Sequence, residues 1–241
     1  MLDTEKQLID ALHQDHWYKF QTLTSASETW PSSVPSKYAS QGKFAVSYLD
    51  ALPTDPVNRE YLKSLSAKPS VASGVIFWST MAWGGMRRDH AVRIDPFVDT
   101  VVVPIMDKMR EGKLSPVGAY DAFSSAYRYN QLCGLGPAFY TKLIFFCLPH
   151  HNGFIMDRWT ARSINLLFSN GEKNLVRLTH NGFVHPANSS KTYKSFCSRI
   201  SWIAKALGQP DELVEVRMFA SSVQRHQRSP WRRYLIAAEP K

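Results

Sequence analysis

Residues 132–167 read LCGLGPAFYTKLIFFCLPHHNGFIMDRWTARSINLL, and this stretch restricts the fold more than any other. Gly134 and Gly136 flank one apolar residue, Leu135, and Pro137 follows at once. Glycine takes positive φ without steric cost, so the chain can turn sharply here. Proline suits the first turn of a helix, where its fixed φ is an asset and its missing N–H is not needed. From Ala138 to Leu148 the run is apolar apart from Tyr140, Thr141 and Lys142, and it stops at Pro149. His150 to Gly153 form a loop. Asp157 then stands as the N-cap of a further helix reaching about Phe168. The stretch therefore predicts helix, glycine hairpin, helix, loop and an Asp-capped helix, and the chain around it reads as all-α.

The 241 residues suffice for one or two compact domains with a real core. No apolar run approaches the roughly 18 residues of a membrane span. The charged, amphipathic start MLDTEKQLIDALHQDHW is unlike a secretory signal. Three widely spaced cysteines (Cys133, Cys147 and Cys197) argue for a reducing cytoplasm and against both a disulfide framework and a zinc site. The net charge of +9 is unevenly distributed: residues 1–141 hold 14 basic and 14 acidic side chains, residues 142–241 hold 15 and 6. Such a basic half suits a surface that follows phosphates; a generally basic soluble protein is the plainer alternative.

Along the chain, residues 4–20 predict one amphipathic helix and residues 21–43, rich in Ser, Thr and Pro, a loop. Phe44–Leu52 and Val57–Leu65 read as short helices, the second capped by Asp55 with Pro56 at its first position. Val71–Met86 reads as a buried helix ending at Gly84-Gly85. It carries Trp78 and Trp83, either of which could line a base pocket, with core packing the preferred reading. Arg87, Arg88, His90 and Arg93 form a local basic loop, better read as a solvated face than as a phosphate contact. Phe97–Glu111 and Ser115–Tyr129 predict two helices; Val101–Val103 alone would suit a strand, against which Pro104 argues. Tyr127 and Tyr129 could face core or DNA. Asn170-Gly171 marks a turn, residues 172–190 a loop or short helix, and Thr192–Leu207 an amphipathic helix. Pro210-Asp211 opens another helix to about Gln224. The tail RHQRSPWRRYLIAAEPK is either a DNA-contacting segment or a packed helix with a basic outer face.

The hairpin and the Asp that follows Gly136 after 21 positions resemble the helix-hairpin-helix DNA glycosylases, above all the 8-oxoguanine DNA glycosylase branch. The detail MDRWTARSINLL is similar to a bacterial group with that fold. The resemblance implies an all-α, two-lobed helix-hairpin-helix glycosylase fold, with approximate lobes at 1–114 and 115–241. It implies that Asp157 is the carboxylate that stabilises positive charge developing on the sugar as the base departs. An Asp before an apolar periodic run is more generally a helix cap; in this family the position does both. Bifunctional members also place a lysine two residues after the second glycine, where this chain has Ala138. Lys142 lies one helical turn on, along the same face. Three roles are open to it: Schiff-base nucleophile, base-reading lysine, or snorkelling surface lysine.

Gly134, Leu135, Gly136, Arg158 and Arg162 are expected to contact DNA, the hairpin amides forming an anion site at a helix N-terminus. Trp78, Trp83 and Phe139 are the candidate base pocket. In the family the hairpin carbonyls can hold a monovalent cation; no other cofactor is expected. The adjacent His150 and His151 point apart and lack a Cys or acidic partner, so no metal is expected there. The expected activity is excision of a flipped, 8-oxoguanine-like base from double-stranded DNA, in repair or anti-phage defence, by a cytoplasmic monomer with no membrane association. The rival readings are a non-catalytic DNA-binding module and a subunit that acts only with a partner.

Overall fold

A computed structural model describes residues 5–23, 32–148, 152–170, 174–219 and 229–238. Apart from one isolated bridge between Leu178 and Val184, the regular structure among these residues is helical, and the fold is all-α. The chain forms two compact units, residues 31–153 and residues 1–30 with 154–241. The predicted N-terminal helix is two, α1 (Glu5–Ala11) and α2 (Gln14–Leu23). The break arises because the His13 amide donates to the Leu167 carbonyl, 2.9 Å away, instead of continuing the helical ladder.

In the unit 31–153, α3 (Pro35–Gly42) replaces part of the expected loop. Its Tyr38 and Ala39 are buried, Tyr38 edge-on to Phe44 at 5.0 Å, so packing outweighs the polar local composition. A 3₁₀ turn covers Val46–Ala51. α4 (Arg59–Ser66) starts later than expected: Asn58 is its cap, accepting from the Tyr61 amide at 2.8 Å, and Asp55-Pro56 lie outside. α5 (Ser73–Trp83) is buried at every residue and ends on Gly84 and Gly85, the latter at φ 69°. α6 (Arg88–Phe97) takes in Arg88, His90 and Arg93 of the predicted basic loop, Arg87 being its N-cap, and the exposed Asp89 pairs with Arg87 and Arg93. A π turn (Val98–Val102) leads into α7 (Val103–Arg110), so the valine run is helical.

α8 (Pro116–Arg128), capped by Ser115, and α9 (Pro137–Cys147) form the helix pair predicted around the hairpin. α9 packs on α4, α5, α7 and α8 and is buried throughout Tyr140–Cys147. These contacts join α8 and α9 to the preceding helices, so the unit ends at residue 153 and there is no division near 114.

In the other unit, α10 (Arg158–Leu167) starts at Asp157 as predicted. α11 (Ser190–Leu207) is capped by Ser189 and closed by Gly208 at φ 61°. α12 (Asp211–Phe219) and α13 (Pro230–Ala238) complete it. The fully buried Phe20 of α2 meets Trp231 of α13 edge-on at 5.1 Å, and Trp231 Nε1 donates to Ser163 Oγ on α10 at 2.8 Å. The tail helix is thus packed, with Arg233 exposed. Pro149, His150, His151, Gly171 and residues 220–228, on which several expectations fell, lie outside the described residues.

Candidate functional site

The two hairpin glycines are not equivalent. Gly134 has φ 94°, and a Cβ there would lie 2.9 Å from the His90 carbonyl oxygen. Both facts require glycine. Leu135 is fully buried and its amide donates to the Leu132 carbonyl at 3.0 Å, which pins the turn from inside. Gly136 is the N-cap of α9 at φ −80°, ψ −179°, a conformation open to any residue. A Cβ at Gly136 would meet nothing within 4 Å. The fold does not demand glycine there, yet a bare backbone faces open space at the start of a helix.

One and a half turns into α9, Lys142 is 6 % exposed. Its Nζ donates to the Ala138 carbonyl at 2.7 Å and lies 5.3 Å from the Phe139 ring centre. The stem passes over Gly84, where a Cβ would come within 3.0 Å of Lys142 Cδ. The glycine that ends α5 therefore also makes room for the lysine. This is an inward-held lysine, unlike a snorkelling one. Trp78 stacks on Phe44 at 4.8 Å, and Trp83 packs edge-on to Phe146 at 5.1 Å with the Arg59 guanidinium 5.6 Å from its ring. Both indoles are core side chains of this unit, and Phe139 alone of the three aromatics is half-buried beside Lys142.

In the other unit, Asp157 is 7 % exposed and anchors a capping box. Its Oδ1 accepts from the Trp159 and Thr160 amides at 2.7 and 3.0 Å, while its own amide donates to Thr160 Oγ1 at 2.9 Å. The two amide bonds to the carboxylate both use Oδ1, and Oδ2 takes no part in the cap. The lead-in segment is fixed by buried side chains from three helices. Tyr193 donates to the Phe154 carbonyl at 3.0 Å, Glu215 accepts the Ile155 amide at 3.3 Å, and Thr160 Oγ1 donates to the Ile155 carbonyl at 2.7 Å. The backbone before Asp157 is thereby clamped on both sides.

Sequence reading missed Arg232. This α13 residue stacks on Trp159 at 4.6 Å, donates to the Phe219 carbonyl, and lies within electrostatic reach of Asp157. Burial lowers its pKa to about 10 and the Asp157 charge opposes that shift, so it is a guanidinium at neutral pH. The only signal was the basic tail, which could not indicate which arginine turns inward. Arg158 and Arg162 are half-buried, Arg158 with its guanidinium 3.8 Å from the Phe183 ring centre and Arg162 5.6 Å from that of Trp159. Among the described residues no group of three or more His, Cys, Asp or Glu side chains is arranged to hold a metal.

A family model described as "Putative 8-oxoguanine DNA glycosylase OGG-like protein" matches residues 17–219. The chain belongs to this OGG-like family. The match spans both units and includes the hairpin, Lys142 and Asp157. No curated protein and no solved structure was found to match the chain. Membership of the OGG-like family agrees with the all-α fold, and no described helix is long and apolar enough to cross a membrane.

Proposed function

We propose that this OGG-like protein is a DNA glycosylase that excises an 8-oxoguanine-like base from double-stranded DNA. The observation that carries the proposal is Asp157, a buried carboxylate clamped at a helix start whose cap bonds occupy one oxygen. A carboxylate held in that way is preorganised to stabilise charge, because it needs no reorientation when charge appears. As the bond from sugar C1′ to the base breaks, the electron pair leaves with the base and positive charge develops on the sugar. Asp157 stabilises that charge, with the Arg232 guanidinium within electrostatic reach of it. The open backbone at Gly136 accepts a phosphate at the N-terminus of α9.

Lys142 is the nucleophile of this proposal. Its amine lone pair bonds to C1′ as the base leaves, and the nitrogen loses a proton; the C1′–O4′ bond then breaks, O4′ taking a proton, to give the ring-opened iminium, and loss of a proton from C2′ expels the 3′-phosphate and cuts the strand. One observation favours a simpler second reading, a monofunctional enzyme in which water attacks C1′. The family's lysine position is Ala138, and the Lys142 amine is held by the carbonyl of that same residue.

Borohydride trapping on an 8-oxoguanine duplex, with wild type, Lys142→Gln and Asp157→Asn, separates the readings. A covalent adduct lost in Lys142→Gln is the expected result. Alkali-labile sites without an adduct would favour the monofunctional enzyme. Neither product, on this duplex or on DNA with other modified bases, would sink the glycosylase reading in favour of a binding module. Asn caps a helix about as well as Asp, so Asp157→Asn should lose product without unfolding.

A further inference from the structure

Between α10 and α11 the chain makes a tight turn that presents one aromatic ring to solvent. The Thr179 amide donates to the Phe183 carbonyl at 2.7 Å, and the Gly182 amide to the Thr179 carbonyl at 2.8 Å. Thr179 Oγ1 accepts the Phe183 amide at 3.1 Å. Gly182 has φ 74°, and a Cβ there would collide with a guanidinium nitrogen of Arg162. The base of the turn is held by two asparagines. Asn165 of α10 bonds both the amide and the carbonyl of Val176, at 2.9 and 2.8 Å. Asn188 does the same for Arg177, at 2.8 Å each. Side-chain amides thus do the work of neighbouring strands, and the turn is braced on α10.

Phe183 is 53 % exposed at this turn. The turn is closed by backbone groups and Thr179 Oγ1, so it places no demand on the side chain at 183. One face of the ring rests on the Arg158 guanidinium, 3.8 Å from the ring centre. A guanidinium behind one face leaves the rest of the ring open while fixing its direction. The sequence on either side of this turn is basic. Between Arg158 and Gln209 the chain carries Arg177, Lys191, Lys194 and other basic residues, and its single acidic residue is Glu172. A rigidly presented ring in a field of that sign suits a polyanion whose bases have π faces.

We propose that Phe183 is a stacking residue that takes a nucleobase of bound DNA on its open face, with Arg158 as its backing. This rests on the glycosylase reading and deepens it. Arg158 directly follows Asp157, so the base held by Phe183 is one close to the sugar undergoing reaction. Aromatic side chains of this kind wedge into or cap base steps at sites where a nucleotide is extruded.

The test uses the full chain and a duplex with 2-aminopurine beside a tetrahydrofuran abasic-site analogue, followed by anisotropy and by 2-aminopurine fluorescence. Wild type should bind and quench the probe by stacking. Phe183→Ala should bind about tenfold more weakly, in line with the loss of one base–aromatic stack, and leave the probe bright. Phe183→Trp should restore both signals and Phe183→Leu neither, an aromatic requirement that a merely structural role would not produce. Equal affinity and equal quenching in wild type and Phe183→Ala would overturn the inference while leaving DNA binding intact. Rescue by Leu as well as Trp would also overturn it. Failure of wild type to bind any duplex would overturn both this inference and the glycosylase reading.

Discussion

At the residue scale, Gly134 and Gly136 belong to one motif but answer to different constraints. Gly134 is required by positive φ and by the His90 carbonyl. Gly134→Ala is therefore expected to lower stability by about 1–3 kcal/mol, read from urea denaturation. Gly136 has an ordinary extended conformation and open space. Gly136→Ala should leave the denaturation midpoint unchanged and weaken duplex binding, because the added methyl stands where a phosphate would approach. A stability loss at Gly136 equal to that at Gly134 would remove the argument that the second glycine serves a ligand. Asp157 shows the same separation of roles within one side chain, with Oδ1 engaged by the cap and Oδ2 outside it.

At the element scale, the segments around α10 are held by side chains that replace regular secondary structure. Buried backbone polar groups must be paired, and an irregular chain finds those partners elsewhere. Asn165 pairs both groups of Val176, while Tyr193 pairs the Phe154 carbonyl and Glu215 and Thr160 pair the amide and carbonyl of Ile155. Asn165→Ala would leave two buried backbone groups unpaired. It should cost about 2 kcal/mol or more in chemical denaturation and raise hydrogen exchange across residues 176–185. Unchanged exchange there would mean that the turn is held by something other than the asparagine.

At the scale of the whole molecule, two bulk properties follow from charge and burial. The excess of 15 basic over 6 acidic side chains after residue 141 predicts salt-sensitive binding. With about four phosphates neutralised, affinity should fall roughly a hundredfold between about 50 and 200 mM salt. A flat salt dependence would contradict the phosphate-following surface. Burial also sets an alkaline limit. It pushes the thiols of Cys147 and Cys197 to about 11 and about 12 from an ordinary 9.0, and the phenol of Tyr120 to about 12 from 10.0. Tyr38 and Tyr140 move in the same direction, also chiefly through burial. Groups whose pKa is raised on folding contribute stability that is complete below their unfolded values and lost as pH rises through the folded ones. The urea midpoint should thus hold at pH 8 and decline steadily from about pH 9 to 11; an unchanged midpoint at pH 11 would contradict the burial of these groups.

The amino-acid sequence by itself determined the helices around the hairpin and the Asp157 cap. It did so because glycine, proline and a capping carboxylate act on backbone within a turn or two of themselves. Asp157 and Lys142 stand out through the resemblance to the helix-hairpin-helix glycosylases, which gives their spacing from Gly136 its meaning. Only the tertiary structure decided that α1 and α2 separate at His13, whose amide goes to Leu167, and that Pro35–Gly42 is helical, since packing outweighs local composition there. It also decided which side chains act as neighbours: Arg232 comes 75 positions after Asp157 and Phe183 comes 25 after Arg158. Glu215 meets the Ile155 backbone across 60 positions. Local propensity carries no information about contacts at such separations; they follow from how helices pack, and they convert a capped helix into a candidate reactive site.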